Sequence, residues 1–310
     1  MSIVSRLLLT AVVGFVALAP ARAHAGNGAA LVKLMPEDAS IMIVADVANA
    51  RSSPLFKKGL DALLAANTNA SAQFTALGID PATAFDTIAI GGVGSLSKLD
   101  EDRMVIVAEG PGVAKLVTAI GKDKTVVAKK FHGVTYWTGG NQDFSLAVVQ
   151  KRIVMARTAG IEKAIDLASG KGKNAAKSPK AAALRGAIAA TDTRHAVWIA
   201  AVLPPEATSQ AAGMGVTMQS LSFGATLSAN LDLEIKVVTA AEKDATTAAN
   251  LISGQLKQAT QALGGMGLAA AAKTIVVDHT GAILRLGMTL TESEIVALGK
   301  LMGAGSMFGH

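Results

Sequence analysis

Residues 36–67, PEDASIMIVADVANARSSPLFKKGLDALLAAN, decide how this chain folds. Ser40 to Val47 is a near-continuous apolar run of strand length, the pattern of a strand covered on both faces. A central place in a sheet is expected for it. Ser53 then stands where an N-cap belongs, with Pro54 at the first helical position. Phe56, Leu60, Leu63 and Leu64 fall on one face of that helix, and Lys57, Lys58 and Asp61 on the other. The helix is expected to end near Asn67. The turn at 48–53 has no glycine to bring backbone amides up to a phosphate, so the unit reads as structural and not as a nucleotide cradle.

Working outward, Gly78-Ile79-Asp80-Pro81 is a turn signal, and Phe85 to Val93 and Met104 to Ala108 read as strands joined by a hairpin connection. Val113, Leu116, Val117 and Ile120 repeat at helical spacing up to Gly121. From Thr125 to Thr158 four strand-like runs, VVAKKF, GVTYW, FSLAVV and IVMAR, are separated by short turns, as in an antiparallel meander. Ile161, Ala164, Ile165 and Ala168 make the stripe of another helix, stopped by Gly170.

Residues 170–180, GKGKNAAKSPK, lack any large apolar side chain and end in a second Ser-Pro helix start. They read as a basic linker. Beyond them a helix to about Ala190 feeds a strand, Ala196 to Leu203, which Pro204-Pro205 terminates. Leu231, Leu233, Ile235 and Val237 alternate with Asp232, Glu234 and Lys236, the period-two signature of a half-exposed antiparallel strand. Its partner is the preceding SLSFGATLS segment. A long helix is expected from Ala245 to Leu263, then a hairpin around His279-Thr280-Gly281, then a last helix opened by a Thr291/Glu294 capping box. Both halves run strand pair, helix, strand pair, helix, which suggests a diverged internal duplication.

The N-terminus reads as a signal peptide over residues 1–25: Arg6 supplies the positive start, Leu7 to Leu18 the apolar core, and Ala23-His24-Ala25 the small-x-small cleavage site. No later stretch is apolar enough to span a bilayer. Removing Arg6 and Arg22 from the 29 basic side chains leaves 27 against 23 acidic ones, a net charge of +4. That is too mild a charge for a nucleic-acid-binding composition. The 285 residues left after cleavage are enough for a substantial core. Hydrophobic residues are 51% of the chain but aromatics only 4%, so Ala, Val, Leu, Ile and Met must fill that core. With no cysteine, thiol catalysis, disulfides and Cys-ligated metals are excluded. A periplasmic or secreted location is expected.

Several phrases resemble a set of exported bacterial proteins of unknown function. They are Pro36 to Ser40, Ser53-Pro54-Leu55-Phe56, Gly78-Ile79-Asp80-Pro81 with Asp86 and Ile88, Phe131 to Tyr136 (FHGVTY), and Gly160 to Lys173 (GIEKAIDLASGKGK). They cover most of the first half, while the second resembles the set only in its order of elements. The phrases are turns, caps and core positions, so the resemblance implies a tandem α+β fold and carries over no activity and no site residue.

Candidate chemistry is sparse. Ser95-Leu96-Ser97-Lys98 matches the S-x-x-K of serine penicillin-recognising enzymes, and Ser228-Ala229-Asn230 could serve as a second motif. No K-T-G follows, however, and Ser95 falls in a hairpin rather than at a helix start. Gly91-Gly92-Val93-Gly94 follows a strand, but Ser97 replaces the third glycine of a dinucleotide fingerprint and no helix opens there. His132, His195, His279 and His310 show no metal-ligand spacing. Lysines 171, 173, 177 and 180 have no interleaved aromatics for base stacking, and read as a solvated linker. Gly213-Met214-Gly215, Gly264 to Gly267 and Gly303 to Gly309 with Met307 set methionine on flexible backbone, a composition suited to adaptable apolar surfaces.

The chain is therefore expected to be an α+β protein of two similar lobes, 26–170 and 181–310, joined by a basic linker at 171–180. Each lobe is expected to be an antiparallel sheet with helices packed on one face. No catalytic, cofactor-binding or metal site is expected. The preferred function is a non-catalytic exported binding or interaction protein of the bacterial cell envelope, its partner an envelope protein or polymer and not nucleic acid. The alternative is a carrier of hydrophobic ligands, lipid or apolar peptide, in a cavity between sheet and helices. A weaker alternative is a serine hydrolase using Ser95 and Lys98.

Overall fold

The structure, a computed structural model, describes residues 28–95, 98–139 and 143–301. The expected signal peptide, part of the Gly139 to Asn141 turn, the Gly303 to Gly309 stretch and His310 lie outside the described residues. So do Leu96 and Ser97.

The fold is α+β, as the sequence implies. The first half contributes β1 (Ile41–Asp46), α1 (Pro54–Ala66), α2 (Thr68–Ala76), β2 (Thr87–Gly92), β3 (Val105–Glu109) and α3 (Val113–Lys122). A meander of β4 (Val126–Phe131), β5 (Val134–Gly139), β6 (Phe144–Val149) and β7 (Arg152–Arg157) follows, then α4 (Ile161–Ala168). The second half contributes α5 (Ala182–Ala190), β8 (Val197–Val202), α6 (Pro205–Gly213), β9 (Met218–Leu227) and β10 (Leu231–Thr239). It ends with α7 (Glu242–Gly265), α8 (Ala269–Thr274), β11 (Val276–Thr280), β12 (Ile283–Leu290) and α9 (Glu292–Leu301).

All 12 of these strands belong to one antiparallel sheet, in the order β11-β12-β10-β9-β8-β1-β2-β3-β7-β6-β5-β4. The two halves meet where β1 pairs with β8, with Ile43 opposite Ile199 at the middle of the ladder. Read outward from that ladder, each half places its first, second and third strands in turn and then its last hairpin. The first half has one hairpin more. The two halves share one continuous sheet, because β1 is hydrogen-bonded to β8 along one edge and to β2 along the other.

Helices expected on one face lie on both faces of the first half. The cause is visible in the strands: IMIVAD, TIAIGG, VIVAE and RIVMAR are apolar in both phases, so each side must be covered. On one face Phe56 and Leu60 of α1, Phe74 of α2 and Leu116 and Ile120 of α3 pack on Ile88, Ile106 and Ile153. On the other, Leu31 to Met35, α4 and α5 pack on Met42, Val44, Val107, Val154 and Trp198. In the second half β10 alternates strictly, and helices α7 to α9 cover its Leu231, Leu233 and Val237 side. Its other side carries Asp232, Glu234 and Lys236.

Local signals are realised where the chemistry is strongest. The Ser53 hydroxyl accepts from the Leu55 and Phe56 amides at 3.1 and 3.5 Å, with Pro54 in the first turn of α1. The Glu294 carboxylate accepts from the Thr291 amide at 3.0 Å, while the Thr291 hydroxyl accepts from the Glu294 amide at 3.4 Å, closing the capping box. Among the described residues no helix is long and apolar enough to cross a membrane.

Residues 171–180 are not the solvated linker that their composition suggests. Ala175 is fully buried and its amide donates to the Met35 carbonyl at 3.1 Å, Pro36 and Asn174 form a β-bridge, and Lys180 pairs with Glu37 at 2.7 Å. The segment is a strap laid across the first half.

Candidate functional site

The strap, α4 and the loops at one end of the sheet enclose a half-open cleft of about 520 Å³. Its floor is apolar, made by Met104 and Val105 at the start of β3, Ala156 at the end of β7, and Ala164 and Leu167 of α4. Its rim is charged and the charges are held in place. Arg103 reaches Asp38 at 3.0 Å and Asp100 at 2.7 Å, which holds the Asp100 carboxyl below its ordinary value. Lys180 donates to Glu37 and holds that carboxyl down in the same way. Asp166 meets the His132 ring at 3.0 Å. Arg157 pairs with Glu101 and with Asp143 behind the 102–105 turn. Lys163 and Lys173 complete the rim with no hydrogen bond or ion pair to another described side chain. An apolar floor framed by fixed charges of both signs suits a small amphipathic ligand.

A second cleft of about 480 Å³ lies on the opposite side of Leu167, toward the other end of the strands. Lys33, Lys177 and Arg152 line it together with Glu109, Asn174 and the β6–β7 turn. Gln150 and Lys151 occupy that turn with φ of 51° and 66°, the left-handed pair that a two-residue hairpin requires.

On the face of β10 opposite α7 to α9 a polar network surrounds Glu234. Its carboxylate takes contacts from His195 Nε2 at 3.3 Å, Lys236 Nζ at 2.9 Å and Arg285 Nε at 2.7 Å. Burial alone would raise this carboxyl, but those donors overcome it and hold it down to about 2. His195 Nδ1 lies 2.7 Å from the Thr226 hydroxyl. Thr226, His195 and Glu234 thus form a hydroxyl–imidazole–carboxylate chain. It sits on strands and away from both clefts, so it locks the 191–195 turn to β9 and β10 rather than facing a bound molecule.

The residues singled out from sequence separate cleanly. Ser95 and Lys98 are directly opposed across a hairpin, with Lys98 exposed, and not one helical turn apart. The helix start on which S-x-x-K chemistry is built is not formed at these two described residues. Gly91 serves Met35 and no phosphate: a Cβ there would lie 2.2 Å from the Met35 sulfur, which is fully buried. His132 is a left-handed turn residue with φ of 48°, and His279 in β11 meets the Thr246 hydroxyl at 3.3 Å. Met214 and Met266 are exposed caps at the ends of α6 and α7. Of the four lysines, Lys173 and Lys177 face the two clefts and Lys180 is paired. Sequence reasoning missed both clefts. The signal available was the acidic Glu37-Asp38 pair beside a strand and the lysine run, whose Lys180 pairs with Glu37.

No family model and no curated protein sequence matches the chain. Among solved structures the chain is similar to crystal forms III, I and IV of TP0453, with TM-scores of 0.47, 0.47 and 0.49 at 10% identity in each case. The matched regions cover 88, 90 and 88% of this chain and 97, 97 and 98% of those.

Proposed function

We propose that this is a non-catalytic exported binding protein of the bacterial cell envelope, holding a small amphipathic ligand in the larger cleft. The observation that carries the reading is the cleft's construction: an apolar floor inside a charged rim whose Glu37, Asp38 and Arg103 are held by ion pairs, set by the sheet on one side and the strap on the other. Paired charges are pre-oriented, so a ligand meets donors and acceptors that need little reordering. The signal-peptide pattern at residues 1–25 supports export and a periplasmic or secreted location. The similar order of strands in the two halves supports a diverged duplication.

The test is Ala159→Trp. Ala159 is exposed on the cleft wall, so an indole there fills the space without touching the core. The exported wild-type protein is expected to begin at Gly26 and to carry ligand detectable by native mass spectrometry, and the variant to lose it. Equal ligand content in both would end the assignment to this cleft.

A carrier of hydrophobic ligands is the second reading, favoured by one observation. An apolar row crosses the sheet in register from Leu286 to Leu146, and its central members Ile43, Ile199, Phe223 and Ile235 are only partly covered. Solvent extraction of the purified protein is expected to release lipid if this face is loaded. A lipid-free extract from protein taken straight from the envelope rejects it.

A further inference from the structure

The smaller cleft differs from the larger one in its electrostatics. Among the described residues Glu109 is the one acidic side chain lining it, and Glu109 is already bonded to Arg152. Lys33 and Lys177 stand opposite with no hydrogen bond or ion pair to another described side chain. Arg152 spends Nε on Glu109 and one terminal nitrogen on the Gln150 side chain at 3.3 Å, leaving its other terminal nitrogen free among the described residues. Three cations thus face one compensated carboxylate around a cavity of about 480 Å³.

Two further observations point to a ligand. Asn174 lines the same cleft, and its side-chain oxygen is buried with no hydrogen-bond donor among the described residues. Buried polar atoms of native proteins are nearly always paired, so this oxygen has acceptor capacity to offer a donor placed in the cleft. Buried Leu31, Leu34, Leu167 and Ala168 give the wall an apolar stretch, which suits a bound molecule with a carbon skeleton as well as charge.

We infer that the smaller cleft binds a phosphate group carrying a hydroxylated carbon skeleton. The phosphate oxygens accept from Lys33, Lys177 and the free Arg152 nitrogen. A planar guanidinium and two mobile ammonium groups suit a tetrahedral anion with several acceptor oxygens. A ligand hydroxyl donates to Asn174, and the carbons rest on Leu31 and Leu34. The site is separate from the larger cleft, with Leu167 between them, and does not depend on what that cleft holds. The same chemistry is offered by a free polyol phosphate and by the headgroup of a phosphoglycerol lipid.

The experiment is calorimetric titration of the mature full chain with glycerol 3-phosphate, run beside co-sedimentation with phosphatidylglycerol vesicles and with phosphatidylcholine vesicles, at fixed ionic strength. Saturable binding of glycerol 3-phosphate, weakened about tenfold or more in Lys33→Ala/Lys177→Ala, is the expected result; tenfold corresponds to about 1.4 kcal/mol. Binding to phosphatidylglycerol vesicles alone, lost in the same variant, supports the site with lipid as the source. Ala159→Trp keeps either binding, which separates this site from the larger cleft. Both lysines are exposed, so the double variant is expected to fold, and an unchanged circular dichroism melt verifies it. No saturable binding to any probe, or equal binding by the folded double variant, overturns the inference.

Discussion

The His195 imidazole rests on the α-carbon of Gly224: a Cβ at that position would lie 2.1 Å from the ring's Cδ2 and 2.5 Å from Nε2. The glycine is thus required by its neighbour and not by its own backbone. Gly224→Ala is expected to push the ring off Thr226 and Glu234 and to cost about 1–3 kcal/mol, the usual penalty of overpacking. In a His195→Ala background the same substitution should be close to neutral. A double-mutant cycle by urea unfolding measures this, and additive effects would show that the ring is not the obstacle.

Glu234 links that turn to acid stability. Its carboxyl is held down to about 2 in the folded chain, against an ordinary value of 4.5. A depressed carboxyl stabilises the fold above its unfolded value and loses that contribution as pH falls toward the folded one. Glu234→Gln is therefore expected to cost on the order of 2 kcal/mol at neutral pH, a discounted share of the linkage for a partly screened group. The gap to wild type should close as pH falls from about 4.5 toward 2. A gap independent of pH across that window would contradict the assignment. Asp192, held down to about 2 by Arg194, titrates in both proteins and cancels.

How much of this was legible follows from the range of the interactions. β1 and β10 could be read because burial on two sides or one writes itself into consecutive residues. Helix α2 was missed because Phe74 is the one buried anchor among its described side chains, in a segment otherwise rich in Asn, Thr and Ser. Helix α6 was missed because Pro204-Pro205 stops β8 and, at the first turn, also starts a helix. The strap read as a linker because the glutamate that pairs with Lys180 lies 143 positions away. Both clefts escaped for the same reason, their walls coming from turns distant in sequence that only the sheet brings together.

Ser53 and Ser178 look alike in sequence, each followed by proline, yet they should differ on removal. The Ser178 hydroxyl accepts only from the Lys180 amide at 3.2 Å. The Ser53 hydroxyl accepts from the Leu55 amide and also donates to the Ser228 carbonyl at 3.1 Å in the β9–β10 turn. Ser53→Ala is expected to cost about 1–2 kcal/mol, the range of a lost cap with a second bond, and Ser178→Ala roughly half as much. Thermal melts of the two variants decide it, and a reversed order would refute the bridging role of Ser53.

The β1–β8 ladder makes the halves interdependent. Cutting the chain after Lys180 leaves β1 without a partner on one side, and five residues from Ile41 to Ala45 lose their opposites in β8. That edge is apolar on both faces, with Met42, Val44 and Ala45 buried in the whole protein. It carries no lysine, proline or bulge of the kind that protects natural sheet edges. Residues 26–180 expressed alone are therefore expected to dimerise or aggregate through β1, and light scattering after size exclusion would detect it. Placing a lysine at Ile43, in the middle of the exposed edge, should return the fragment toward monomer by adding an edge charge. A wild-type fragment that is monomeric and cooperatively folded would show that the ladder joins two independent domains and does not complete a single sheet.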